Sequence, residues 1–162
     1  MTPITTNETR IEADPDLPTV RIIRDFDAPA GRVYRAWTDP HLVAQWLGPK
    51  STTTQIDTWD ARTGGSYRYS TWCDGEQLAS FYGSFHELRP DERLVQTFTY
   101  EGYPDGVCLE TMTFEDLGDG RTRVTGLSVV DTMEARDMMI ASGMEAGVVE
   151  GYQKLDALLA EE

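Results

Sequence analysis

Hydrophobic and polar positions recur along this chain with two different periods, and the changes of period mark the element boundaries. Thr19–Asp27 (TVRIIRDFD) is a β-branched and aromatic run of strand length that ends at Ala28-Pro29. Pro29 suits the first turn of a helix, where its missing N–H would be unpaired in any case, and Val33, Ala36 and Trp37 then share one face. Asp39-Pro40 repeats the signal as cap and first helical residue, and Leu42, Val43, Trp46 and Leu47 follow at helical spacing until Gly48-Pro49 stops the run. Two short helices therefore follow the first strand.

From Ser51 to Val130 the pattern alternates, cut by turn residues at Gly64-Gly65, Asp74-Gly75, Pro90-Asp91, Pro104-Asp105-Gly106 and Gly118-Asp119-Gly120. The segments between the cuts, 51–59, 66–73, 78–88, 93–101, 107–116 and 121–130, predict strands joined by short turns, an antiparallel meander. After Asp131 helical spacing returns. Ile140, Met144, Val148, Tyr152, Leu155 and Leu159 make one apolar face and predict a single long helix.

One amphipathic helix cannot bury its stripe alone, and an antiparallel sheet with one apolar face needs a cover, so the two must pack together. The expected fold class is α+β, in the order β-α-α-β6-α, with a curved seven-stranded antiparallel sheet wrapped around the long C-terminal helix. Gly143, Gly147 and Gly151 recur beside the apolar stripe, each unfavourable in a helix by about 1 kcal/mol relative to Ala. They point either to close approach of a neighbouring element or to room for a ligand.

The chain has 162 residues, 40% of them hydrophobic, which suits one globular domain with a real core. Residues 1–18, rich in Thr, Asp, Glu and Pro, read as a flexible arm before a single domain at 19–162. The formal charge of −14 would repel phosphate backbones and anionic headgroups, so neither nucleic acid nor a membrane surface is an expected partner. Cys73 and Cys108 lack any zinc-ligand spacing, no export signal precedes the domain, and reduced thiols in a cytoplasmic protein are expected. No phosphate-cradling loop, nucleophile elbow or calcium loop occurs, so no cofactor and no metal are expected.

Several local motifs occur in one order: FDAPAGRVYRAWTDP (Phe26–Pro40), WLGP (Trp46–Pro49), R-x-G-G-x-Y (Arg62–Tyr67), G-x-F-H-E (Gly83–Glu87), RLVQTF (Arg93–Phe98) and the closing segment Gly143–Leu159. Together they resemble the activator of heat shock protein 90 ATPase homologue family, in the SRPBCC or START-like, Bet v-like superfamily. The resemblance implies the helix-grip fold, a curved sheet gripping the C-terminal helix around a hydrophobic cavity. It also implies a function drawn from the superfamily's range, which spans binding of lipids, sterols, hormones or polyketides and, in a minority, cyclase or hydrolase chemistry.

Glu110 is the leading polar candidate, because it shares strand parity with Cys108, Met112 and Phe114, the more apolar side of its strand. A carboxyl facing an apolar cavity would have its pKa raised by desolvation and could carry a proton or anchor a ligand group; paired with Arg68 or facing water it would do neither. Gln96 shares parity with Leu94, Phe98 and Tyr100 and could neighbour it. His86, mid-strand among aromatics, is an acid–base candidate if it faces inward and an ordinary surface residue if it does not. Tyr69, Trp72, Tyr82, Phe98 and Tyr100 are expected as aromatic lining, Met112, Met144 and Val148 as its aliphatic part.

The sequence thus predicts binding of a small hydrophobic or aromatic molecule between sheet and C-terminal helix. Two alternatives stand beside it: a cyclase, hydratase or hydrolase using Glu110 for proton transfer, and a chaperone-associated protein-binding module. A homodimer and a chaperone partner stay open.

Overall fold

Twelve elements make up residues 7–161, which the computed structural model describes. They are β1 (Arg10–Ala13), β2 (Thr19–Phe26), α1 (Ala30–Thr38), α2 (Pro40–Trp46), β3 (Thr53–Trp59), β4 (Ser66–Cys73), β5 (Glu76–Arg89), β6 (Arg93–Tyr100), β7 (Cys108–Gly118), β8 (Arg121–Val129), α3 (Met133–Ala141) and α4 (Met144–Ala160). All eight strands form one antiparallel sheet in the order β1-β2-β8-β7-β6-β5-β4-β3. The meander from β3 to β8 is local; only the β2–β8 pairing joins distant parts of the chain.

The turn residues do what their conformations require. Asp74 and Gly75 both take positive φ (51° and 80°), as a two-residue hairpin between β4 and β5 demands. Asp39 accepts a hydrogen bond from the His41 N–H at 2.9 Å and caps α2, with Pro40 at its first position. Bulges interrupt the ladders at Ile56/Thr58, Thr71/Trp72, Phe85/Glu87 and Asp116/Gly118, each adding local bend and twist to the sheet.

Three expectations are corrected. The arm at 1–18 contains a strand: β1 pairs antiparallel with the outer edge of β2, so the sheet has eight strands. The Arg136 guanidinium, 5% exposed on α3, donates to the carbonyls of Asp14, Leu17 and Thr19 and ties down the segment behind β1. Residues 1–6 of the arm lie outside the described residues. The long terminal helix is two helices, because Gly143 has φ +89° and ends the first of them. Ile140, expected on the buried stripe, is 36% exposed.

The core fills the end of the sheet at which β2 finishes. Phe26, Val33, Phe85, Leu94 and Leu155 are fully enclosed. Trp37 packs against Phe26, Trp46, Phe114 and Tyr152 with ring centroids 4.8–5.9 Å apart, mostly edge to face. Gly151 allows α4 to approach α2, since a Cβ there would lie 3.1 Å from the Trp46 carbonyl oxygen. At Gly147 a Cβ would meet Pro49 at ordinary contact distance. The helix glycines thus serve a break and a close helix approach. No helix among the described residues is long and apolar enough to cross a membrane.

Candidate functional site

Register assigns the inner face of the sheet without ambiguity. Ser128, Glu110 and Gln96 sit in one cross-strand row of β8, β7 and β6, followed toward the core by Gly126, Met112 and Leu94 and then by Val124 and Phe114. Cys108 and Phe98 form the row on the other side of Glu110. On β4, Tyr67 and Tyr69 point to this same face, and Tyr152 reaches toward it from α4.

Glu110 is the polar centre. Gln96 Nε2 donates to Glu110 Oε1 at 2.8 Å, and no other described residue bonds the carboxyl. Arg68 is not its partner: that guanidinium lies on the outer face, bonded to Glu101 and Asp57. Glu110 retains some accessible area, yet protein surrounds it closely enough that desolvation pushes its pKa above the ordinary carboxylate value, with the Gln96 hydrogen bond opposing the shift. Its charge is in turn felt by the groups around it. Burial, reinforced by Glu110, raises Tyr67, Tyr69 and Tyr152 and lifts the Cys108 thiol to about 12.

These neighbours differ in their hydrogen bonding. Tyr67 donates to the Thr97 carbonyl at 2.7 Å. The Tyr69 and Tyr152 hydroxyls have no partner among the described residues, although the two residues are only 8% and 6% exposed. Among side-chain polar atoms that are both fully enclosed and unbonded, the described residues hold one, Arg24 Nε. The Tyr69 and Tyr152 hydroxyls and Glu110 Oε2 are therefore unbonded but still reachable.

The remaining predicted residues divide between the two faces. Phe98, Met112 and Val148 pack against the core, and Met144 is half-buried at the start of α4. Tyr100 has inner-face register but lies at the end of β6, 46% exposed, with its ring against Phe81 at 5.6 Å. Three of the candidate residues lie away from Glu110. His86 is the extra residue of the β5 bulge and faces solvent, so it cannot serve Glu110 as an acid–base partner. Tyr82 is 39% exposed on the outer face, opposite Thr99. Trp72 is on the outer face too, where its indole N–H donates to Ser70 Oγ at 2.8 Å and covers that buried hydroxyl.

Tyr67, Tyr152, Cys108 and Ser128 were not predicted as site residues. Their signals were present in the sequence: Tyr67 has the parity of Tyr69, Tyr152 follows Val148 by one helical turn, and Cys108 and Ser128 share the parity of Glu110 through their strands.

Two surface grooves lie elsewhere. One, of about 440 Å³, runs between α1 and the loops after β3 and β5, where Asp39 already caps α2 and Arg62 already pairs with Asp60. The other, about 340 Å³, lies over Arg10, Asp25 and Arg123, again with Asp25 and Arg123 paired to each other. Neither includes Glu110 or Gln96; the unbonded atoms on the inner face make the stronger candidate site. No cluster of potential metal ligands occurs among the described residues.

Comparison with known proteins agrees with this architecture. A protein from Arthrobacter aurescens, solved in solution, superposes with a TM-score of 0.85 at 28% identity over 94% of this chain and 92% of that one. A Rhodobacter sphaeroides protein gives 0.86 at 25% identity, covering 96% of this chain and 100% of that one. DynU16, a protein of the dynemicin biosynthetic locus, shares the fold with a TM-score of 0.67 at 24% identity, over 91% of this chain and 48% of that one. No curated protein matches the chain significantly. The antiparallel sheet with its flanking helices is a START/Bet v1-like α+β fold. Residues 27–160 match the description "activator of Hsp90 ATPase homolog 1-like protein", and the chain belongs to that family.

Proposed function

We propose that this protein binds a small, mainly apolar molecule in the space between the inner face of the sheet and α4, with Glu110 and Gln96 at its polar centre. One observation carries the reading: Glu110 Oε2 and the hydroxyls of Tyr69 and Tyr152 are left without protein partners on an otherwise apolar wall. The free carboxyl oxygen and the two hydroxyls are within reach of water, and a ligand that offers them hydrogen bonds can take that water's place. The surrounding Phe98, Met112, Phe81 and Val148 offer apolar contact for the rest of the ligand.

The test is native mass spectrometry of protein purified from cell extract, followed by thermal shift against a panel of lipids, flavonoids and polyketide-like aromatics. A ligand at about 100 times its dissociation constant stabilises the fold by about 2.7 kcal/mol, which raises Tm by roughly 5–10 °C for a chain of this size. Tyr152→Phe together with Glu110→Gln should weaken the response without unfolding the protein. A protein that carries nothing from extract and shows no shift with any member of the panel would overturn the reading.

A further inference from the structure

We infer that the molecule held on this wall carries one cationic nitrogen, an amine or ammonium on an apolar body, and that Glu110 supplies its counter-charge. The inference rests on the binding reading above and deepens it. The free oxygen of Glu110 is the one potential full charge in its row, since its row-mates Gln96 and Ser128 are neutral. Its charge is felt by the hydroxyls of Tyr67 and Tyr69 from β4 and Tyr152 from α4, and the unbonded Tyr69 and Tyr152 oxygens can accept from an ammonium N–H.

Among the described residues, the inward or neighbouring cations Arg24, Arg136 and Lys154 are already engaged. Arg24, which faces inward on β2, is locked to Asp156 at 2.6 and 2.8 Å. Arg136 of α3 is spent on backbone carbonyls and Asp137, and Lys154 of α4 donates to the Pro49 carbonyl. The approach favours the same sign. Exposed Asp74, Glu76, Asp105, Asp131 and Glu134 ring the end of the sheet at which β5 and β7 begin, two residues from Glu110, and none of them forms an ion pair among the described residues. A carboxylate-headed ligand such as a fatty acid could bond the tyrosine hydroxyls but would be repelled by Glu110 and the acidic rim, whereas an ammonium would exchange its water for the Glu110 carboxylate and the hydroxyl oxygens.

Where Glu110 carries its proton, binding of an ammonium favours the ionised form and displaces that proton. Around the carboxyl, the groups that face it are Tyr67 and Tyr69 of β4, Gln96 of β6, Cys108 of β7, Ser128 of β8 and Tyr152 of α4, none of which titrates between pH 5 and 8. Amine affinity should therefore rise with pH across the titration of Glu110, while that of a neutral analogue should not.

The experiment uses three probes with one body and different heads, 4-butylbenzylamine, 4-butylbenzyl alcohol and 4-butylbenzoate, titrated calorimetrically into the full chain and into Glu110→Gln. The amine is expected to bind at least about tenfold more tightly than the alcohol and the benzoate most weakly. Glu110→Gln should abolish the amine's advantage over the alcohol, the readout being the ratio of the two affinities rather than either one alone. Paired buffers of different ionisation enthalpy should report proton release with the amine alone, fading as pH rises through the titration of Glu110. Alcohol binding equal to or tighter than amine binding overturns the inference and leaves the binding reading standing; failure of all three probes, and of the wider panel above, overturns the reading itself.

Discussion

Loss of Asp156, whose side chain is 37% exposed, would strand a buried charge. Asp156 projects from α4 and receives two short hydrogen bonds from Arg24 of β2, at 2.6 and 2.8 Å. Arg24 is 3% exposed, stacks over the Phe26 ring at 4.9 Å, and donates once more to the Asp25 carbonyl at 3.0 Å; its Nε is enclosed without a partner. Asp156→Ala would leave a guanidinium shut in the core with one carbonyl and a ring for company. Stranding one member of a buried pair costs about 3–5 kcal/mol, and the 37% exposure of the Asp156 side chain lets water reach the vacated place, so we set the loss near the bottom of that range, about 3 kcal/mol. At roughly 2–4 °C per kcal/mol for a chain of this length, Tm should fall by about 6–12 °C.

Urea unfolding at pH 7, followed by tryptophan fluorescence, gives the free energies. Arg24→Met should be far milder, because it removes the buried charge and leaves a carboxylate that water can reach. The double variant should recover much of the stability lost by Asp156→Ala, with a coupling above about 1.5 kcal/mol that high salt changes little. A loss below about 1 kcal/mol for Asp156→Ala, or a double variant no more stable than it, would refute the reasoning.

Gly83→Ala would place a Cβ 2.0 Å from the Thr97 carbonyl oxygen and 2.7 Å from the Tyr67 hydroxyl, so urea unfolding should show a loss of at least about 2 kcal/mol and the Tyr67–Thr97 bond should break. Thr122→Val keeps the shape of a fully buried side chain but deletes its 2.7 Å hydrogen bond to the Ala28 carbonyl, for an expected loss of about 1–2 kcal/mol in the same assay. Glu110 has its folded-state pKa raised above the ordinary 4.5, so the folded chain holds the proton more tightly than the unfolded one. The stability this contributes is full below pH 4.5 and is lost as pH rises through the folded value. Glu110→Gln should flatten that fall, so a variant whose Tm tracks the parent's across pH 4–8 would count against the desolvated carboxyl.

The sheet was legible because most of its strands bury one face only. In β8, Thr122, Val124, Gly126 and Ser128 are buried and every residue between them is not, and that alternation carries parity across β7 and β6 to Glu110 and Gln96. Parity failed as a guide where a bulge intervened. Leu78 and His86 are extra residues in β5; Trp72, by contrast, obeys parity, since three residues from Tyr69 it falls on the opposite face with Ser70 and could not line the same wall. β1 was hidden because RIEA is a four-residue edge strand with little apolar content, held by backbone pairing to β2 rather than by burial. The break between α3 and α4 was hidden for the opposite reason. Ile140 and Met144 keep helical spacing across it, and only the left-handed conformation of Gly143 separates a helix stop from a packing glycine.

Packing and polarity are divided along the sheet, which explains how a buried carboxyl is tolerated. At the end where β2 and β7 approach α1, Phe26, Trp37, Trp46, Phe114, Tyr152 and Leu155 interlock, and the Arg24–Asp156 pair pins α4 to β2. Toward the opposite end the same two layers carry Glu110, Gln96 and Ser128, Met144 is only half-buried, and Met138 and Ile140 of α3 stand exposed. Tyr152 belongs to both regions: its ring packs on Phe26 at 5.3 Å while its hydroxyl feels Glu110. The free-energy cost of desolvating Glu110 therefore falls on the loosely packed end, where the core contributes least to stability, and a dense aromatic cluster one helical turn away holds the wall in shape. Glu110 bears the cost of desolvation with one hydrogen bond from Gln96, and its second oxygen bonds no other described residue, so a ligand that meets that oxygen would offset part of the cost.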